Sequence, residues 1–353
     1  DSIVRWTANA EGVRRIVLSA SPREVRGTVE TVLGLLTEDR RTSAEPSAAL
    51  QEHLESLART LLPTNAFDEP APGGISRVLV SADGFLDALP FEILDLDAGS
   101  GYRPLLDGWD VASLRFRSEA PRERGGDRRS LIVVDPDLSP ELKRRYPFLH
   151  GLPHGRKEAQ AVVALIPDAR LLEGAAATKT AVTARWEAAP VFYATAHVVR
   201  NPESPITSFL PLAGATGGPA AAEEAYLDVA DIRGADLSGC ELVVLSACAS
   251  GAPYVTPGNA APSLGDAFLD SGAAAVVQTL WDIRDEEARI VMERFLESWQ
   301  EDPRDPARAL CAARRRVRRD SPALRHPAAW GSYVVKLGRV PPGRNETAVS
   351  VSQ

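Results

Sequence analysis

At 353 residues, with 44% hydrophobic and 25% charged side chains, the chain has apolar content for more than one packed core, and its length predicts two lobes. A formal net charge of −8 disfavours general nucleic-acid binding, which needs a basic surface, and no run of 18 apolar residues is present to cross a membrane. Three cysteines, an odd number spread over a long chain, predict reduced thiols and a cytoplasmic setting rather than a disulfide framework.

The opening Asp1 to Trp6 offers neither the charged and apolar regions of a secretory leader nor an initiating methionine, so the chain is expected to begin inside a longer gene product. Ser21-Pro22-Arg23-Glu24 carries the capping signals of a helix, continued by Val25, Val29, Val32 and Leu35 or Leu36 at helical spacing. Ser47 to Leu62 predicts a second helix, with Leu50, Leu54, Leu57 and Leu61 on one stripe. A strand at Val78 to Val80, the Pro90-Phe91 segment and a strand near Val111 to Phe116 complete an N-terminal lobe. Between Glu119 and Arg129 the sequence turns charged and glycine-bearing, the composition of an exposed linker. The expected divisions are an N-terminal α/β lobe over 1–125, a second lobe over 126–340 and a flexible tail over 341–353.

From Ser130 the pattern alternates. Leu131 to Val134 is a buried strand, Lys157 to Ile166 a helix with Ala159, Val162, Val163 and Ile166 inward, and Leu171-Leu172 a short strand. Thr178 caps the helix that precedes the strand Val191-Phe192-Tyr193-Ala194-Thr195-Ala196-His197. Such alternation predicts a mostly parallel, three-layer α/β sheet. A long crossover follows, Gly/Ala/Pro-rich from Pro211 to Ala222, with the makings of a lid or binding loop. Leu242 to Leu245 is a continuous apolar run, as in a parallel strand buried on both faces, and it leads into Ser246-Ala247-Cys248-Ala249-Ser250-Gly251. A helix over Ser263 to Ser271 then feeds a strand over Ala273 to Trp281, which a right-handed crossover lays beside the Cys248 strand. Asp285 opens an amphipathic helix with Val291, Met292, Phe295 and Trp299 inward. A last helix begins at Asp305-Pro306 and ends in the basic run Arg314-Arg315-Arg316-Val317-Arg318-Arg319, expected as a solvated face, with a partner or RNA contact as the alternative. Cys240 and Cys311 read as packing residues.

Open α/β sheets place their sites at the carboxyl ends of strands, where Cys248 and His197 both stand. Strands about 4.8 Å apart bring such side chains within hydrogen-bonding reach, and an imidazole can take a thiol proton and hold the thiolate. Alone, the cysteine is most simply a small buried hydrophobe and the histidine a satisfied polar group. Together, at matching ends with the histidine about 50 residues upstream, they point to a Cys/His dyad. His150 and His154 have a four-residue spacing, but Gly151 and Pro153 interrupt a helix there and no third ligand is near, so no metal is expected. Phosphate-binding glycine loops and Gly-x-Ser-x-Gly are absent from the sequence, and no cofactor is implied.

Several segments in order make the chain resemble the CHAT domain, a caspase- and separase-like group of cysteine peptidases. They are the strand ending in His197; Leu245-Ser246-Ala247-Cys248-Ala249-Ser250-Gly251; Val78 through Gly84 to Pro90-Phe91-Glu92-Ile93-Leu94; Leu264 to Gly272; Ala275 to Trp281 with Asp285; and His326-Pro327, Trp330 and the strand closing at Gly338. The resemblance implies a caspase-like sheet and a cysteine endopeptidase with Cys248 as nucleophile, His197 as base, and the N–H groups of Cys248 and Val198 receiving the oxyanion. It further implies a protein or peptide substrate and a sensor or repeat-containing partner. Two positions depart from the family: Val198 stands where glycine usually follows the histidine, and Tyr193 where a second histidine usually stands four residues before it. A catalytically silent interaction module therefore remains an alternative, as does a cysteine-dependent acyl transferase or amidase. Trp281, Asp282 and Asp285 are expected to line the substrate pocket. Asp285 has helix N-cap and substrate contact as its open roles, and an acidic pocket would favour Arg or Lys before the scissile bond.

Overall fold

The computed structural model describes residues 2–9, 12–39, 43–63, 67, 76–97, 101–115, 128–166, 168–201, 203–214, 225–247, 249–252, 254–256, 259–261, 263–339 and 346–352. Cys248, most of the charged linker and the middle of the long crossover lie outside them. In the N-terminal half, β1 (Val4–Asn9) and β2 (Gly12–Val17) form a hairpin, followed by helices Pro22–Asp39 and Ala48–Leu61, β3 (Ser76–Ala82) and β4 (Trp109–Leu114). Next come β5 (Leu131–Pro136), helix Pro153–Leu165, β6 (Arg170–Gly174), β7 (Val191–Thr195), and the short pair β8 (Phe209–Pro211) and β9 (Tyr226–Asp228). β10 (Leu242–Ser246) is followed by β11 (Tyr254–Thr256), β12 (Asn259–Ala261), helix Leu264–Asp270 and β13 (Ala275–Thr279). Helices Asp285–Glu301 and Pro306–Asp320, then β14 (Tyr333–Leu337) and β15 (Glu346–Ser352), close the chain order.

Local signals explain the helix starts. Ser21 and Glu24 exchange backbone and side-chain bonds at 3.0 and 3.3 Å, a capping box, and Ser47 accepts from the N–H of Leu50 at 3.2 Å. Leu50, Leu54, Leu57 and Leu61 are all buried, so the predicted stripe faces the core.

Among the described residues, eleven strands form one sheet in the order β2-β1-β15-β3-β4-β14-β13-β10-β7-β5-β6. Pairing is parallel except at β1–β2, β1–β15 and β13–β14. Along β10, Leu242 and Val244 enter the core beneath helices Pro153–Leu165, Asp285–Glu301 and Pro306–Asp320, whereas Val243 and Leu245 enter the opposite core against helix Leu264–Asp270. Burial on both faces is why this segment reads as an unbroken apolar run. The fold is a three-layer α/β sheet, mostly parallel, and it runs unbroken past the lobe boundary expected near residue 125.

Two expectations are corrected here. Residues 346–352, expected in a flexible tail, form β15, which fills the gap between β1 and β3, and Val351 is fully buried. The basic run at 314–319 is a solvated face only at its last residue, Arg319. The Arg314 guanidinium is fully buried, donating to Glu92 at 2.6 Å and to the Tyr333 carbonyl. Arg315 donates to the Leu106 and Trp109 carbonyls, each at 2.7 Å, and to Asp110 at 2.9 Å. Arg316 pairs with Glu297 at 3.1 Å, and Arg318 pairs with Asp107. Arg314, Arg315 and Arg318 fasten the last long helix to the stretch from Glu92 to Asp110, and Arg316 ties it to the helix before it.

A second buried cluster joins the halves on the other face. Lys336 on β14 donates to Asp87 at 2.6 Å and to Asp266 at 3.1 Å. Burial alone would lower the Lys336 pKa, but Asp266 and Asp87 outweigh it and hold the ammonium above its ordinary value. Asp266 is also the capping-box partner of Ser263, at 2.8 Å, so the same carboxylate starts the helix that follows the Cys248 turn.

Burial pushes the Glu92 carboxyl above its ordinary pKa against the pull of Arg314, so desolvation outweighs attraction in that pair. Removing only the cation should be costly. Arg314→Met is expected to lose about 3–5 kcal/mol in urea unfolding, and Arg314→Met with Glu92→Leu to regain more than half of it. A loss under about 1 kcal/mol in the single variant would show the pair to be dispensable.

Candidate active site

β7 and β10 lie side by side in parallel, with Tyr193 opposite Val244 and Thr195 opposite Ser246. Two residues beyond those last partners, the chain reaches His197 on one side and Cys248 on the other. The parallel neighbour expected after Cys248 is present: β13 pairs with β10 in parallel, Val277 opposite Val244, and its carboxyl end arrives at the same edge.

His197 is held by the segment before helix Pro153–Leu165. Its ring meets the rings of Phe148 and His150 edge-on, at centroid distances of 6.5 and 5.3 Å, and its Nε2 lies 2.7 Å from the His150 carbonyl oxygen. A carbonyl only accepts, so Nε2 carries the proton and Nδ1 is the basic nitrogen of the neutral ring. The segment is anchored in turn by Asp135 at the end of β5, where the backbone turns left-handed at φ 40°. The Asp135 carboxylate accepts from the Leu152 N–H at 3.1 Å and from Arg156 Nε at 2.6 Å. Neither His150 nor Asp135 was singled out for this role by sequence, because a supporting carbonyl and a loop anchor leave no motif.

Beneath His197 the polar residues of β7 bond to a buried carboxylate. Glu158, 1% exposed, accepts from the Tyr193 hydroxyl at 2.7 Å and from Thr195 Oγ1 at 2.9 Å. Burial first, then the Glu158 charge, raises the Tyr193 pKa well above its ordinary value, so the phenol stays neutral. Ser246 and Tyr333 share a hydroxyl–hydroxyl bond at 3.2 Å. Thr195, Ser246 and Tyr333 line a cavity of about 600 Å³ together with His197, Val198 and Asp282. Trp281 does not reach it. The indole donates to the Ala328 carbonyl at 3.0 Å, packs on the N-terminal core and borders a neighbouring cavity of about 540 Å³, which Asp282 also touches. Asp285 is the first residue of its helix, with Arg284 rather than Asp285 in the N-cap position; its side chain lies outside what the structure describes.

The turn around Cys248 is described on either side of it. Ala247 and Ala249 both line the cavity, and Ala249 has φ 51°, a left-handed backbone that costs a non-glycine residue on the order of 1–3 kcal/mol. The neighbouring strand holds it there. Thr279 Oγ1 donates to the Ala247 carbonyl at 2.6 Å, and the Gly251 N–H donates to the Thr279 carbonyl at 2.8 Å. The other two thiols are poor nucleophiles: burial pushes Cys240 up to about 12 and Cys311 up to about 11.

Residues 45–339 match the family model described as the CHAT domain. A search of curated proteins gives no match. Among solved structures the chain is similar to the Arg-specific cysteine proteinase gingipain R, at 10% identity and a TM-score of 0.48, over 85% of this chain and 69% of that one. A complex of the Porphyromonas gingivalis RgpB pro- and mature domains is similar at 10% identity and a TM-score of 0.48, over 85% of this chain and 71% of that one. The Saccharomyces cerevisiae separase–securin complex is similar at 10% identity and a TM-score of 0.44, over 78% of this chain but only 16% of that one.

Contact between helix Pro153–Leu165 and β7 sets a test of the site's framework. A Cβ on Gly155 would lie 2.6 Å from Thr195 Cγ2, on a stiff, buried, β-branched side chain. Alanine normally gains about 1 kcal/mol over glycine in a helix. Gly155→Ala should nevertheless lower the thermal midpoint, because helix and strand must move apart; an unchanged or raised midpoint in calorimetry would show that they are not in this contact.

Proposed function

We propose that this chain, which belongs to the CHAT domain family, is a cysteine endopeptidase with Cys248 as nucleophile and His197 as general base and acid. The observation that carries this reading is the His197 ring, fixed by Nε2 on the His150 carbonyl at 2.7 Å and standing at the edge where β10 leads to Cys248. A free thiol, with pKa about 8.5, is only a few per cent thiolate near neutrality. Nδ1 of His197 takes the Cys248 proton, the thiolate attacks the scissile carbonyl, and the same nitrogen returns the proton to the leaving amine. Water activated by His197 then hydrolyses the acyl-enzyme. The N–H groups of Cys248 and Val198 receive the oxyanion, and Val198 supports this by lining the same cavity as His197.

The substrate is a protein or peptide. Asp282, which lines the cavity that holds His197, supports preference for an Arg or Lys side chain before the scissile bond. Trp281, turned to the neighbouring cavity, is not part of that subsite. A sensor or repeat-containing protein is the regulator assigned to it, acting on a basal rate through the crossover between β7 and β10. Among the described residues no helix is long and apolar enough to cross a membrane. The second reading is a catalytically silent interaction module; Tyr193, tied to Glu158 where a second family histidine is usual, favours it.

Fluorogenic tetrapeptide libraries test both readings. Cys248→Ala and His197→Ala should each abolish nearly all hydrolysis, with the double variant little worse, since members of one catalytic unit are non-additive. Substantial hydrolysis by Cys248→Ala would falsify the assignment, and a folded wild type with no hydrolysis of any library member supports the silent module. In the same libraries Arg or Lys is expected before the scissile bond, with the preference removed by Asp282→Ala. Preference for Leu, Met or Asp sinks the acidic pocket.

A further inference from the structure

One residue of the neighbouring strand grips the turn that bears Cys248. Thr279 ends β13 and is fully buried. All of its polar groups reach that turn: Oγ1 donates to the Ala247 carbonyl at 2.6 Å, the backbone N–H donates to Ser250 Oγ at 3.2 Å, and the carbonyl accepts from the Gly251 N–H at 2.8 Å. Ser250 closes the ring. Its N–H donates to the same Ala247 carbonyl at 3.3 Å, and its hydroxyl donates to the Leu245 carbonyl at 3.3 Å. Two donors from different directions leave the Ala247 carbonyl no freedom to swing. Behind the turn, Gln278 fills the space: a Cβ on Gly251 or on Gly265 would come within 2.4 or 1.6 Å of its side chain. Ala249, with φ 51°, belongs to the same turn.

We infer that Thr279 is a positioning residue for the Cys248 site, whose hydroxyl fixes the peptide plane between residues 247 and 248 and so aims the N–H that receives the oxyanion. This rests on the peptidase reading above. A trans peptide holds its carbonyl and N–H on opposite sides of one plane. Thr279 fixes the carbonyl half of that plane, and the residues on either side of Cys248, Ala247 and Ala249, line the cavity shared with His197. An oxyanion donor acts on charge that develops only in the transition state, so its misalignment lowers kcat and leaves KM almost unchanged. Alkylation of the thiol forms no oxyanion and is insensitive to it.

Thr279→Val keeps the branched shape and removes the hydroxyl; Thr279→Ser keeps the hydroxyl. In the full chain, assayed with fluorogenic tetrapeptides bearing Arg before the scissile bond, Thr279→Val should lower kcat about tenfold or more with KM within about twofold. Thr279→Ser should restore most of the rate. Iodoacetamide alkylation of Cys248 should stay within about twofold of wild type in both. Ser250→Ala, which removes the acceptor of the Thr279 N–H, is expected to show the same split and serves if Thr279→Val does not fold. An unchanged kcat in a folded Thr279→Val variant of an active wild type overturns the inference and leaves the peptidase reading standing. Equal losses of hydrolysis and alkylation overturn it too, since they mark a merely structural role. A wild type that hydrolyses no tetrapeptide overturns both.

Discussion

Strands β7, β10 and β13 are buried on both faces, and their polar side chains are confined to the carboxyl ends or to a waiting partner beneath the sheet. The parallel register then decides which polar groups meet. Thr195 opposite Ser246 sets the last paired rung, and everything proposed for catalysis stands beyond it. Glu158 supplies acceptors for two hydroxyls that would otherwise be stranded in an apolar layer, which lets β7 carry Tyr193 and Thr195 without losing its place in the core.

The rest of the molecule holds that edge still. Lys336, Asp87 and Asp266 tie a segment of the N-terminal half to β14 and to the helix after the Cys248 turn, in a cluster whose Lys336 and Asp266 are buried and whose Asp87 is partly exposed. Arg314 and Glu92 do the same on the opposite face, through partners 222 residues apart in sequence. Such clusters are costly unless complete, so they select one arrangement of the two halves more strongly than they stabilise it.

Much of the framework was legible in the residues. The apolar runs at Leu131 to Val134, Val191 to Ala194 and Leu242 to Leu245 are strands because burial on both faces leaves no other composition, and the capped helices begin where Ser21, Ser47 and Asp305 place them. The basic run at Arg314 misled for a definite reason: charge on a helix end reads as solvated unless its acidic partners are local, and here they come from Glu92, Asp107 and Asp110. Trp281 misled in another way. A strand's alternation places its side chains, but the chain leaves β13 at Thr279, and the indole then follows the N-terminal core instead of the cavity. His150 contributes a backbone carbonyl, which any residue type has, so no reading of side chains could have found it.

The position of β15 bears on how the molecule comes into being. The innermost strands of the N-terminal half, β1 and β3, do not touch through a ladder of their own; the strand between them lies some 340 residues after β1 in the chain, and β14 likewise separates β4 from β13. A ribosome therefore releases the early hairpin and helices long before their sheet can close. Until residues near 350 emerge, β3 presents an open edge of unpaired N–H and carbonyl groups, the surface that chaperones shield and that aggregation exploits. Closure of such sequence-distant pairings is slow, so the β1–β15–β3 part of the sheet is completed only after nearly all of the chain has been made.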